Sequence, residues 1–136
     1  MSAITEIIRL EADGTVSFGN YNTSEKKKVA DFDAFGDAYT VKTHDELTRV
    51  EKNGKLLLEA VPGAAFHNFS LTERLVSFGA EGAGDTQVTL GLEPTTEYRA
   101  VVNGVNIGNV ESNLSGKVNF SVELNGSPQD VRIEKY

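Results

Sequence analysis

Apolar residues fall at every second position over Val88-Leu90-Leu92 and again over Val118-Phe120-Val122-Leu124. A period of two puts one face of a β-strand in a core and the other in water. From residue 64 onward this reading gives seven short strands, at 66–71, 75–80, 87–92, 97–102, 105–110, 117–124 and 131–135. Asn103-Gly104, between the fourth and fifth, is the pair that the positive φ angles of a type I′ hairpin favour, and Ser115-Gly116 and Asn125-Gly126 are further turn signals. Strands at this spacing predict an all-β protein with an Ig-like or Greek-key β-sandwich in its C-terminal half. Val88, Leu90, Val118, Phe120 and Val122 should face the core, with Thr89, Asn119 and Ser121 outward.

Before residue 64 the pattern is less regular. Segments 4–10 and 15–21 flank Ala12-Asp13-Gly14 and predict a hairpin, and 38–43 reads as another strand. Segment 44–52 has two readings. Thr43 with Glu46 has capping-box spacing and Leu47 and Val50 stand three apart, which favours a short helical turn. Asn53-Gly54 between Val50 and the Leu56 to Leu58 run favours a hairpin and is the stronger signal. Val61-Pro62-Gly63 breaks the chain, so the expected organisation is a small hairpin unit over 1–63 followed by a seven-stranded sandwich over 64–136.

Composition narrows the function classes. The 136 residues suffice for a core without staples, and a net charge of −7 makes nucleic acid and anionic membranes poor partners. Lys26-Lys27-Lys28 reads as a solvated loop. With no cysteine there is no disulfide framework or thiolate site, and no segment has the pattern of a signal peptide or a membrane-spanning helix. The expectation is a cytoplasmic, acidic protein without a cofactor.

Candidate chemistry is sparse. His44 stands beside Asp45 and Glu46, and His67 between Phe66 and Asn68, with no nucleophile motif near either, so no catalytic residue is assigned. Asp31, Asp33 and Asp37 around Gly36 are weak metal candidates. As a calcium loop starting at Asp31 they fail at the fifth position, Phe35, and at the twelfth, Lys42 in place of a bidentate glutamate. The expected alternative is a polar turn whose Phe32 and Phe35 reach the core. Gly79, Gly82 and Gly84 lack phosphate-loop spacing, and the Asn-x-Ser sequons, such as Asn22 and Asn68, read as polar strand faces and turns. Small sandwiches bind sugars by stacking exposed rings, and Tyr21 and Tyr39 are the candidates here, Tyr98 being in phase with the core.

The stretch Asp13-Gly14-Thr15-Val16-Ser17-Phe18-Gly19-Asn20-Tyr21, with Tyr39-Thr40-Val41-Lys42-Thr43, Glu51-Lys52-Asn53-Gly54-Lys55 and Val61-Pro62-Gly63, resembles a family of short uncharacterised β-rich proteins of anaerobic Firmicutes. Some of that family carry the label "endosialidase". The resemblance implies a bacterial source and a small β unit followed by a sandwich similar to the accessory modules of carbohydrate-active enzymes. It implies no established activity.

The expected function is therefore that of a non-enzymatic structural or interaction protein, a homo-oligomer or partner-binding module that associates through strand edges. The alternative is a carbohydrate-binding module that docks on polysaccharide. Ile4, Ile7, Ile8 and Leu10 put apolar groups on both faces of a terminal strand and are the candidate self-association residues.

Overall fold

A computed structural model describes residues 7–72, 74–124 and 128–136. Among these residues thirteen β-strands form two antiparallel sheets: β1 (Ile8–Leu10), β2 (Val16–Phe18), β3 (Lys27–Ala34), β4 (Asp37–Thr43), β5 (Thr48–Lys52), β6 (Lys55–Val61), β7 (Ala65–Leu71), β8 (Leu75–Glu81), β9 (Thr86–Gly91), β10 (Glu97–Val102), β11 (Val105–Glu111), β12 (Lys117–Val122) and β13 (Gln129–Lys135). One sheet has seven strands in the order β1-β2-β7-β8-β13-β10-β11, the other six in the order β12-β9-β6-β5-β4-β3. The chain is all-β, and the two sheets share one apolar core, as in a β-sandwich.

The alternation that announced the strands also decides their faces. Val118, Phe120 and Val122 on β12 and Val88 and Leu90 on β9 are buried, while Asn119 and Ser121 are exposed and Thr89 half-buried. Ser121 Oγ donates to Gln87 Oε1 at 2.7 Å across the outer face, and Thr89 hydrogen-bonds Asn119. Between the sheets, Phe18, Phe66, Phe69 and Phe78 pack with ring centroids 5.4–5.7 Å apart. Burying each such ring contributes about 1.5–3 kcal/mol.

The segment 44–52 forms no helical turn: β5 runs into β6 through Asn53-Gly54, whose φ angles of 52° and 81° fit a type I′ turn. Of Lys26-Lys27-Lys28, expected as a loop, Lys27 and Lys28 open β3, an edge strand that the sequence reading missed. The turn from β3 to β4 is Phe35-Gly36, with φ angles of 56° and 88°. Phe35 does not reach the core as expected but is 62% exposed, whereas Phe32 packs against it.

Val61-Pro62-Gly63, with a cis Val61–Pro62 bond, is where the chain crosses between sheets. Both sheets take strands from either side of this point, with β2 against β7 in one and β6 against β9 in the other. The break in the pattern is therefore a crossing, and not a separation between a hairpin unit and a sandwich. Close packing fixes it. A Cβ on Gly63 would stand 2.1 Å from the His44 carbonyl oxygen, and one on Gly19, at φ +99°, 2.3 Å from that of Ala64. The buried Thr48 hydroxyl accepts the Ala64 N–H at 3.1 Å and donates to the Ala64 carbonyl at 2.9 Å, so both backbone polar groups of Ala64 are satisfied without water.

Candidate functional site

Packing consumes most of the residues that sequence reasoning singled out. Ile7 and Ile8 are buried in the chain's own core at 8% and 2% exposure, which withdraws them from self-association, and Leu10 is 46% exposed. Ile4 lies outside the described residues, as does the Asn125-Gly126 turn signal. Tyr39 is buried in the core and offers no ring face to a sugar. Tyr21 is half-buried and its hydroxyl donates to Glu81 Oε1 at 3.2 Å. Burial, reinforced by the Glu81 charge, raises the pKa of that phenol.

The aspartates of the metal candidate are divided between two strands. Asp31 and Asp33 sit exposed on β3, and Asp37 opens β4. Asn53 Nδ2 donates to Asp37 Oδ1 at 2.9 Å and Lys52 Nζ lies 3.4 Å from its other oxygen. Asn53, and secondarily Lys52, hold this carboxyl below its ordinary range. Asp37 thus works in a hairpin clip. Among the described residues no group of three or more His, Cys, Asp or Glu is placed to hold a metal ion.

His44 lies on the loop between β4 and β5, with Nδ1 3.3 Å from Asp45 Oδ1. His67, on β7 opposite Gly79 of β8, is 4% exposed and its Nε2 has no hydrogen-bond partner. Burial lowers its pKa, with the Glu81 charge acting against that shift. Ser17 is also fully buried. Its Oγ hydrogen-bonds Glu11, lowering the pKa of that carboxyl, and accepts the Asn68 N–H at 3.0 Å. With its hydroxyl committed and covered, Ser17 is not presented to a substrate.

The sheet edges differ in what they present. At one end of the six-stranded sheet β3 carries Lys27, Lys28, Asp31 and Asp33, the charges that keep an edge from pairing with another chain. At the far end of the seven-stranded sheet β11 reads Val-Asn-Ile-Gly-Asn-Val-Glu, with no charge before Glu111. Val105 is 63% and Ile107 51% exposed. Asn106 pairs with Val101 and Gly108 with Ala100, so Ile107 is the extra residue of a bulge. Beside it lies a gap of about 360 Å³, lined by Val102, Ile107, Ser121, Val122, Glu123 and Gln129. Alternation identified β11 as a strand, but its place at an edge depends on β13 pairing with β10, a contact that local sequence does not report. No family model matches the chain, and no curated protein or solved structure does either.

Proposed function

We propose that this chain is a non-enzymatic interaction protein that associates with a second copy of itself through the β11 edge. The observation that carries the reading is an edge strand without charge from Val105 to Val110, with Val105 and Ile107 half or more exposed. Uncharged strand edges are templates for a further strand, and pairing two of them satisfies backbone donors and acceptors together with the apolar side chains. A chain of net charge −7 repels its own copies over most of its surface. An edge without charge is where two copies meet at least electrostatic cost, and antiparallel self-pairing closes as a symmetric dimer.

Light scattering over a range of concentrations tests this. The parent should gain mass with concentration. Ile107→Lys and Val105→Lys should each remain monomeric while melting like the parent. A parent that is monomeric throughout, or lysine variants that keep the parent's mass, would refute the assignment.

A further inference from the structure

The hairpin turns Phe35-Gly36 and Asn53-Gly54 and the loops after β7, β9 and β11 gather at one end of the sandwich, away from the exposed Val105. There the sheets part into an apolar groove. Its widest section, about 610 Å³, is walled by Leu56, Leu57, Leu71, Leu92 and Pro94. An adjoining section of about 350 Å³ shares Leu71 and Leu92 and continues to Leu75 and Tyr98. A third of about 230 Å³ shares Leu57 and Leu71 and reaches Phe35, and with Asp37, Lys52 and Ser70 in its wall it is the polar end of the groove. These volumes approach or fall within the roughly 300–1,000 Å³ of small-molecule sites.

The charge around the groove is one-sided. Two acidic groups that line it are already neutralised, Asp37 by Lys52 at 3.4 Å and Glu93 by Lys135 at 2.5 Å. Lys55, Lys117 and Arg74 line it with no side-chain partner among the described residues. An acidic chain thus presents unpaired cations at the mouth of an apolar groove. The strands meet the groove with their ends, so it offers no ladder of backbone donors and acceptors to a peptide. An occupant with an aliphatic chain and a single anionic head fits both properties.

Phe35 points the same way. It holds φ 56°, a conformation rare for bulky side chains, where the equivalent positions of the two Asn-Gly turns carry Asn53 and Asn103. Its ring is exposed and borders the groove. The site of backbone strain and the exposed aromatic therefore coincide.

We propose that this groove binds a free long-chain fatty acid, with the acyl chain against Leu71 and Leu92, the carboxylate between Lys55 and Lys117, and Phe35 closing one end. The site is independent of the β11 edge. Calorimetric titration of oleate, below its micelle concentration, into the full chain tests it. One saturable site is expected, with oleyl alcohol at least tenfold weaker and acetate without binding. Lys55→Glu/Lys117→Glu should weaken oleate at least tenfold, and Lys28→Glu, at the other end of the molecule, should leave it unchanged. Phe35→Asn should weaken oleate severalfold while raising the melting temperature, a split that a merely structural role would not produce. Absence of saturable binding overturns the proposal, as does unchanged affinity in either groove variant. A loss of self-association in the double reversal would make the occupant a second copy and overturn it as well.

Discussion

The hairpins β5–β6 and β10–β11 are built alike and end differently. Each turns at Asn-Gly with both φ angles positive. In each, the asparagine clips a neighbouring strand: Asn53 Oδ1 accepts the Ala38 N–H of β4 at 2.9 Å, and Asn103 Oδ1 accepts the Asp130 N–H of β13 at 2.8 Å. Beyond the turn the likeness stops. β6 pairs onward with β9 and buries Leu57, Leu58 and Ala60, whereas β11 has no described strand beyond it and leaves Val105 and Ile107 exposed. Turn chemistry makes a hairpin; position in the sheet decides whether its second strand becomes core or surface.

The sharpest way to break this comparison is to shorten a side chain on each second strand. Leu58→Ala should cost about 2–5 kcal/mol in denaturant melts, and Ile107→Ala about 0.5 kcal/mol or less. Similar losses at both positions would mean that β11 is covered. Placing a β-branched residue in each turn comes next. Gly54→Val and Gly104→Val both force valine to φ near 81°, in space that is otherwise open, and each should cost about 1–3 kcal/mol. If only Gly54→Val is destabilising, the β10–β11 turn is not the structural twin of the other.

A charge serves as a third probe, because a covered strand position penalises charge where an edge tolerates it. His67 on β7 has a folded pKa lowered by burial, so the folded state binds its proton less readily than the unfolded state. Its stabilising contribution is present above the ordinary imidazole value and is lost as pH falls through the depressed one. Chemical melts between pH 8 and pH 5 should show stability falling on acidification, and His67→Gln should flatten that fall. An equal slope in the variant would assign the acid sensitivity to other groups. The smallest effect is expected at the charged edge. Asp31 and Asp33 stand apart on β3 with Asp37 held by Asn53, so added calcium should leave the melting temperature unchanged. A calcium-dependent rise would place a site there.

Sequence pattern reached β9, β10, β12 and β13 because their buried residues keep strict alternation, and the Asn103-Gly104 turn uses residues suited to positive φ. It missed β3 for two physical reasons. A bulge between Val29 and Phe32 shifts the period, so the apolar residues of this edge strand no longer alternate. Phe35, moreover, stands where a turn ordinarily signals itself with asparagine. The N-terminal isoleucines looked suited to an interface because alternation cannot tell a strand covered on both faces from one awaiting a partner. The groove was not legible at all, since Leu57 and Leu71 come from strands of different sheets, Leu92 from the loop after β9, and no spacing links them.

The place of β13 in the seven-stranded sheet governs the order in which the molecule can assemble. It follows the other described strands in sequence, yet it lies between β8 and β10 and is hydrogen-bonded along both sides. The β3 to β6 meander can form as soon as its own residues are available, since each strand pairs with its sequence neighbour. The other sheet must wait, divided into one part ending at β8 and the β10–β11 hairpin, until residues 129–135 join them. Closure of non-local pairings is slow, so this late insertion is expected to limit the folding rate. Until it occurs β8 and β10 expose unpaired backbone, and the nascent molecule is then most open to mispairing with its neighbours.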